Sequence, residues 1–146
     1  MSSSPYVTTD GVAIPGVTTI PISQALAGMA SAADVVTDYV VPFSFQVLGL
    51  RFLLSSVVST GSKAATVTLG TGATASNTAV PGCVLALTSA NQTPAGKITL
   101  APATNLGTAA TIFPAGTKLC LKSTSVTAFS EGAGTFFIDL RNCDES

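Results

Sequence analysis

The first question for this sequence is which side chains are able to do chemistry. Histidine is absent altogether. That removes the commonest general base, the Ser-His and Cys-His nucleophile pairs, and the commonest transition-metal ligand. Only seven acidic side chains remain for carboxylate chemistry. Asp34 and Asp38 would share one face of a helix, but Val35, Val36, Tyr39 and Val40 around them favour a strand. There they serve as polar residues at a strand entrance rather than as an acid or metal pair. Asp139 alternates with core-type residues and falls on the same side as Arg141, which suggests an exposed ion pair or an interface contact. Asp144 and Glu145 form a short acidic end, read as solvated.

The remaining reactive types point no more strongly to a site. Cys83, Cys120 and Cys143 lack metal-ligand spacing and are read as free thiols, with a Cys83–Cys120 pair not arguable from sequence. Lys118 and Lys122 flank Cys120 and would favour its thiolate, but no base accompanies them. The stretch GTGATA at 70–75 lacks the third glycine and the lysine of a phosphate loop, so it reads as a hairpin loop. Tryptophan is absent and tyrosine is limited to Tyr6 and Tyr39, which leaves little for a sugar-stacking platform. These observations predict no catalytic residue, no cofactor and no metal. Phe137 is the most informative side chain. It lies on the strand face opposite Phe136 and Ile138, either as a core residue of a strand buried on both sides or as an apolar contact between subunits.

The elements that position these residues are β-strands. Val41, Phe43, Phe45 and Val47 alternate with Pro42, Ser44 and Gln46, the period of a half-buried strand. The apolar set then moves to Leu48, Leu50, Phe52 and Leu54. A slip of one residue turns a strand over, so a bulge, bend or sheet switch is expected near 47–49. Further strands are read at 65–69, 84–87, 97–100, 117–122 and 135–141. Turn chemistry separates them at 60–62, 70–72, 81–82, 94–96, 114–116 and 131–134. The spacing suits an all-β antiparallel β-sandwich, jelly-roll-like, over 34–143. The two Pro-Ala-Gly turns have unmatched flanks and are read as reuse of turn chemistry rather than as a repeat.

Residues 1–33 have a different texture. Tyr6, Val7, Val12, Ile14, Val17, Ile20 and Ile22 stand isolated among Ser, Thr, Ala and Gly, and Pro5, Pro15 and Pro21 interrupt any regular element. Too apolar for a solvated linker, the segment reads as an extended N-terminal arm that gains order by lying on a partner. A short helix over 23–33, capped by Ser23 and weakened by Gly28, is its one candidate element.

Composition bounds what such a chain does. In 146 residues, 47% are hydrophobic and only 9% charged, with a formal net charge of −1; ordinary domains carry about 25% charged residues. A length of this order accommodates one domain with its own core. So little charge leaves a surface easier to understand when neighbouring subunits cover it. The six basic residues are scattered, so nucleic acid has no electrostatic footprint. No apolar run has the length of a membrane span, and the first residues lack the regions of a secretory signal.

Four stretches carry a family resemblance: ADVVTDYVVPFSFQVLGLRF at 33–52, SKAATVTLGTG at 62–72, VLALTSANQTPAG at 84–96 and SVTAFSEGAGTFFIDL at 125–140. Together they resemble head decoration (cement) proteins of tailed bacteriophages and related β-sandwich modules of phage tails and fibres. The resemblance implies a jelly-roll-like homotrimer with no active site, bound at three-fold positions of an assembled capsid. Its partner would be the major capsid protein, and its place the exterior of a virion assembled in a bacterial cytoplasm. Such proteins often reach a neighbour with an N-terminal arm, a role for which Tyr6, Val7, Val12, Ile14, Val17, Ile20 and Ile22 qualify, joined by Phe137 on the body. A fibre module recognising a host receptor is the alternative, although no heptads or repeats point to a shaft. A cell-wall glycan hydrolase would need two acids facing across a cleft.

Overall fold

A computed structural model describes residues 17–29, 34–72 and 78–143, with the side chains of 34, 36–38, 125 and 126 also left aside. Nine strands build two facing sheets: β1 (Val17–Ala25), β2 (Asp34–Val40), β3 (Phe45–Ser56), β4 (Ala64–Thr71), β5 (Thr78–Thr88), β6 (Ile98–Pro102), β7 (Ile112–Phe113), β8 (Lys118–Thr127) and β9 (Ala133–Asn142). One sheet has the order β1-β9-β3-β6, with β7 also paired to β3; the other has the order β2-β8-β4-β5. The chain passes from one sheet to the other at most connections, β4 to β5 and β6 to β7 being the steps made within a sheet. Every pairing is antiparallel. This is the jelly-roll arrangement of an antiparallel β-sandwich, as the strand spacing predicts.

The alternation of side chains explains why the sheets face each other. Phe45, Val47, Leu50, Phe52, Leu54, Phe136, Ile138 and Leu140 from one sheet meet Val67, Leu69, Leu85, Leu87, Leu119 and Leu121 from the other in a single buried cluster. Phe52 and Phe136 pair across β3 and β9 with ring centroids 4.7 Å apart. Each large apolar side chain so buried stabilises the fold by about 1.5–3 kcal/mol. Leu119 and Leu121 face this core, as expected, while Lys122 on the same strand is only half-buried.

The phase slip in β3 is a bulge. The β3–β9 register shifts between Val47 and Gly49, so that Leu48 is the extra residue and the outward set changes parity there. The Val41–Val47 alternation, by contrast, is not one strand. β2 ends at Val40 and the chain crosses between sheets over 41–44, where Pro42 offers no N–H to a ladder. Both Pro-Ala-Gly segments close as turns of the same kind. Gly96 and Gly116 each have φ +87°, and the following N–H donates to the proline carbonyl at 3.2 Å. The glycine N–H in each case donates to a carbonyl outside the turn, Leu54 O in β3 or Val41 O just after β2, both at 2.7 Å.

Other sequence expectations need correction. Pro81-Gly82 is no turn but a bend inside β5, where the register with β4 shifts. Gly82 has φ +83°, and a Cβ there would meet Pro102 O at 2.5 Å, so the bend brings β5 against the end of β6. Of the helix expected over 23–33, residues 23–25 instead complete β1 and a single 3-10 turn follows at Leu26–Gly28, while 30–33 lie outside the described residues. β1 lies within the span read as arm. Its nine residues pair in unbroken register with β9, and Pro21 is tolerated because β1 is an edge strand. Of the proposed arm, residues 1–16 lie outside the described residues.

Candidate assembly interface

The outer face of the β1-β9-β3-β6 sheet is built row by row from the strand register. Val17, Arg141, Gln46 and Ile112 form one row across β1, β9, β3 and β7. Thr19, Asp139, Gly49 and Pro102 form the next, with Leu48 bulged beside it. Pro21, Phe137, Arg51 and Leu100 follow, then Ser23, Thr135, Leu53 and Ile98. Leu100 is 68% exposed, Ile98 48% and Val17 43%. The outer face of the other sheet carries Thr66 beside Ala86 and Thr68 beside Val84, the last also exposed.

The charges in the middle of the apolar face are satisfied by one another. Arg51 Nε donates to Asp139 Oδ2 at 2.9 Å and Nη2 to Oδ1 at 3.2 Å, a forked contact across the β3–β9 pair. Thr19 Oγ1 donates to Asp139 Oδ1 at 2.8 Å from the far side. The Arg51 guanidinium lies over the Phe137 ring, 4.7 Å from its centroid. Its hydrogen bond to Asp139 holds the Arg51 pKa above the ordinary arginine value, against the opposing effect of desolvation. A cation and an anion already matched in this way enter a contact without stranding a buried charge. Asp139 therefore pairs with Arg51 on the neighbouring strand rather than with Arg141, two residues along its own.

Phe137 settles on the outer face, half-buried beneath Arg51, and is not a core residue. Of the arm residues proposed for partner contact, Val17 is exposed on this face. Ile20 turns inward and is 6% exposed, and Ile22 packs against the core, so within this chain both belong to the sandwich. Tyr6, Val7, Val12 and Ile14 lie outside the described residues. Leu48, read from the sequence as one of the apolar set with Leu50, Phe52 and Leu54, is instead the bulged residue on this face; Leu53, Ile98, Leu100 and Pro102, not singled out from the sequence, complete the surface. The sequence showed 97–100 as a short apolar run, and which side of a strand faces out depends on the pairing.

A shallow groove of about 280 Å³ runs diagonally over this face, lined among others by Val17, Leu48, Gly49, Leu100, Pro102 and Asp139. It exists because the β3 bulge leaves Gly49, without a side chain, opposite Pro102. A Cβ on Gly49 would come 3.1 Å from Pro102 Cα.

Glu131 accepts hydrogen bonds from the backbone and hydroxyl of both Ser59 and Thr60, tying two loops together. Those bonds, led by the one from the Ser59 hydroxyl, lower its pKa to about 2. Cys83, Cys120 and Cys143 are free thiols; the first two are buried, and burial pushes the Cys83 thiol up to about 11. The thiol of Cys120 lies 3.6 Å from Gly70 O, inside the fold rather than presented between the lysines. Among the described residues no group of three or more His, Cys, Asp or Glu is placed to hold a metal ion. No helix among them is long and apolar enough to cross a membrane.

No protein-family model matches this chain. No curated protein matches it either. Among solved structures, the chain aligns with one from the cyanophage Pam1 capsid asymmetric unit at 15% identity and a TM-score of 0.48, covering 97% of this chain and 96% of that one. It also aligns with the infectious bursal disease virus VP2 subviral particle at 16% identity and a TM-score of 0.39. A further alignment is with the Gx strain of that virus, at 18% identity and a TM-score of 0.42. In the two bursal disease virus structures the chain spans 37% and 36% of the longer protein.

Proposed function

We propose that this protein is a structural component of a bacteriophage virion, a decoration protein that binds the exterior of the assembled capsid and stabilises the shell. The observation that carries the reading is the outer face of the β1-β9-β3-β6 sheet, where exposed aliphatic side chains surround an ion pair that is already neutralised. A face of this kind is suited to burial against protein and poorly suited to solvent. The sparse charge of the whole chain and the resemblance of its strand and turn segments to phage decoration proteins support the same conclusion.

The mechanism is mass action. A protein that binds the closed shell and not its opened form stabilises the closed form by an amount set by affinity and free concentration. Assembly as a trimer at three-fold positions multiplies weak single contacts, because the second and third protomers bind at high effective concentration. Tyr6 and Val7 in the N-terminal segment extend the contact to the major capsid protein, with strand addition as a mode that needs no charge. No catalysis is required by this role.

Cosedimentation with purified shells tests the reading. The intact protein is expected to pellet with shells, and the variant Ile98→Asp/Leu100→Asp to lose at least tenfold in affinity, about 1.4 kcal/mol or more. Full retention of binding by that variant, in a folded state verified by circular dichroism, would remove the face from the account.

A further inference from the structure

Each sheet ends in strands whose outer backbone groups face no further strand, and these edges differ in how they are protected. In an antiparallel pair, residues bonded to the partner alternate with residues whose N–H and C=O point away. Leu26 N donates to Gly132 O in the β1–β9 register, so Val17, Thr19, Pro21 and Ser23 form the outward set of β1. Pro21, within that set, has no N–H to offer. β2 is interrupted by two register shifts against β8. In β5 the bond from Ser89 N to Lys63 O leaves Ala86 and Thr88 outward. There the Asn91 carboxamide takes the place of a further strand. Its Oδ1 accepts from Thr88 N at 2.7 Å, and its Nδ2 donates to Ala86 O at 2.8 Å.

Among the described residues β6 has no such device. Leu54 N donates to Lys97 O and Ala103 N to Leu48 O, both at 2.9 Å, so Ile98, Leu100 and Pro102 turn their backbone groups outward. Pro102 lacks an N–H, and its carbonyl lies against Gly82 of β5. The N–H and C=O of Ile98 and Leu100 remain, beside two exposed aliphatic side chains.

We propose that this edge binds a second copy of the same chain, β6 against β6, about a two-fold axis at Thr99. Ile98 then exchanges both backbone bonds with Leu100 of the second copy, and Leu100 with its Ile98, so every free group is used. Moving the axis by one residue fails in either direction. At Leu100 it sets Ile98 against Pro102, which has no N–H; at Ile98 it sets Leu100 against Gly96, whose N–H already bonds Leu54 O. The side chains agree with the axis at Thr99, because Ile98 and Leu100 become cross-strand aliphatic pairs on the outer face. Residues 98–102 carry no charge. The two Lys97 side chains are set roughly 14 Å apart along the strands at about 3.4 Å per residue, beyond the screening length of about 8 Å. The sheets of the two copies become continuous, and so do their outer faces. So short a ladder falls below the roughly 1,200 Å² that stable interfaces bury. It therefore forms where copies are concentrated, as between neighbours held on one surface, and adds to a trimer rather than replacing it. The inference is independent of the capsid reading, because it is read in the free protein.

Two cysteine variants of the full chain test it, Ile98→Cys and Leu100→Cys, each with Cys143→Ser to remove the exposed thiol. Both side chains are exposed, so neither change disturbs the core. On mild oxidation of a concentrated mixture, the disulfide joining one variant to the other should exceed either same-variant disulfide several-fold, as read by intact mass. Two copies of the same variant set their Cα atoms beyond the about 7 Å that a disulfide spans. Amide exchange of the unmodified protein gives a second reading. The Ile98 and Leu100 amides should slow as concentration rises from micromolar to millimolar, while the Thr19 and Ser23 amides should not. Equal yields of all three disulfides, exchange independent of concentration, or slowing seen only when shells are added would overturn the pairing.

Discussion

At the scale of single residues, two positions show how the fold restricts its side chains. Gly134 lies in β9 directly under the Phe52 ring, and a Cβ there would fall 2.4 Å from Phe52 Cζ and against Leu53 O. Gly134→Ala must displace a buried ring and is expected to cost about 1–3 kcal/mol, the range for overpacked cores. Urea unfolding of the purified variant checks this. Glu131 makes a second, electrostatic case. Its carboxylate is lowered from 4.5 to about 2 by its bonds to Ser59 and Thr60. Because the folded value is depressed, the stabilisation is present above pH 4.5 and is lost as pH falls towards 2. Glu131→Gln should therefore lower stability at pH 7 and narrow the difference between pH 7 and pH 3. Thermal midpoints of both proteins at the two pH values report it; an unchanged difference would contradict the loop clamp.

At the scale of elements, what the sequence displayed depends on how each strand is buried. β3, β4 and β9 alternate because one face of each meets the core, whereas in β8 Cys120 is buried as well as Leu119 and Leu121, and the bulge at Leu48 was visible as a change of parity. β1 was hidden. It is an edge strand whose inward residues are Thr18, Ile20 and Ile22, interrupted by Pro21, so that it reads as broken chain. β7, with two residues, is too short for any period. The ion pair between Arg51 and Asp139 was invisible for a different reason: its partners are 88 residues apart and meet only through the β3–β9 register. Phe137 was placed on the correct side of its strand, but whether that side faced core or surface required the sheet order. The position of β1 yields a prediction about truncation. Removing residues 2–16 leaves the strand whole and should preserve the fold while weakening shell binding. Removing 2–22 also takes Ile20 and Ile22 from the core, and should lower the unfolding midpoint markedly. Equal stability of the two truncations would contradict the packing of β1.

At the scale of the whole molecule, the account joins a rigid sandwich to a surface with few charges. The core fixes the two sheets, and the β3–β9 register collects the aliphatic residues of β6 and β1 around a neutralised pair on one side. The proposed capsid contact lies on this face; the face opposite is built from Thr66, Thr68, Val84 and Ala86. A trimer is the expected state of the purified protein, and light scattering at micromolar concentration checks it; a monodisperse monomer would contradict the low-charge argument. The most direct test of the central claim is add-back to DNA-filled shells that lack the protein. Titrating the purified chain while following DNA release on heating should raise the release temperature and saturate at a fixed number of copies per shell. Release at an unchanged temperature, at concentrations where the protein is present in excess, would contradict it.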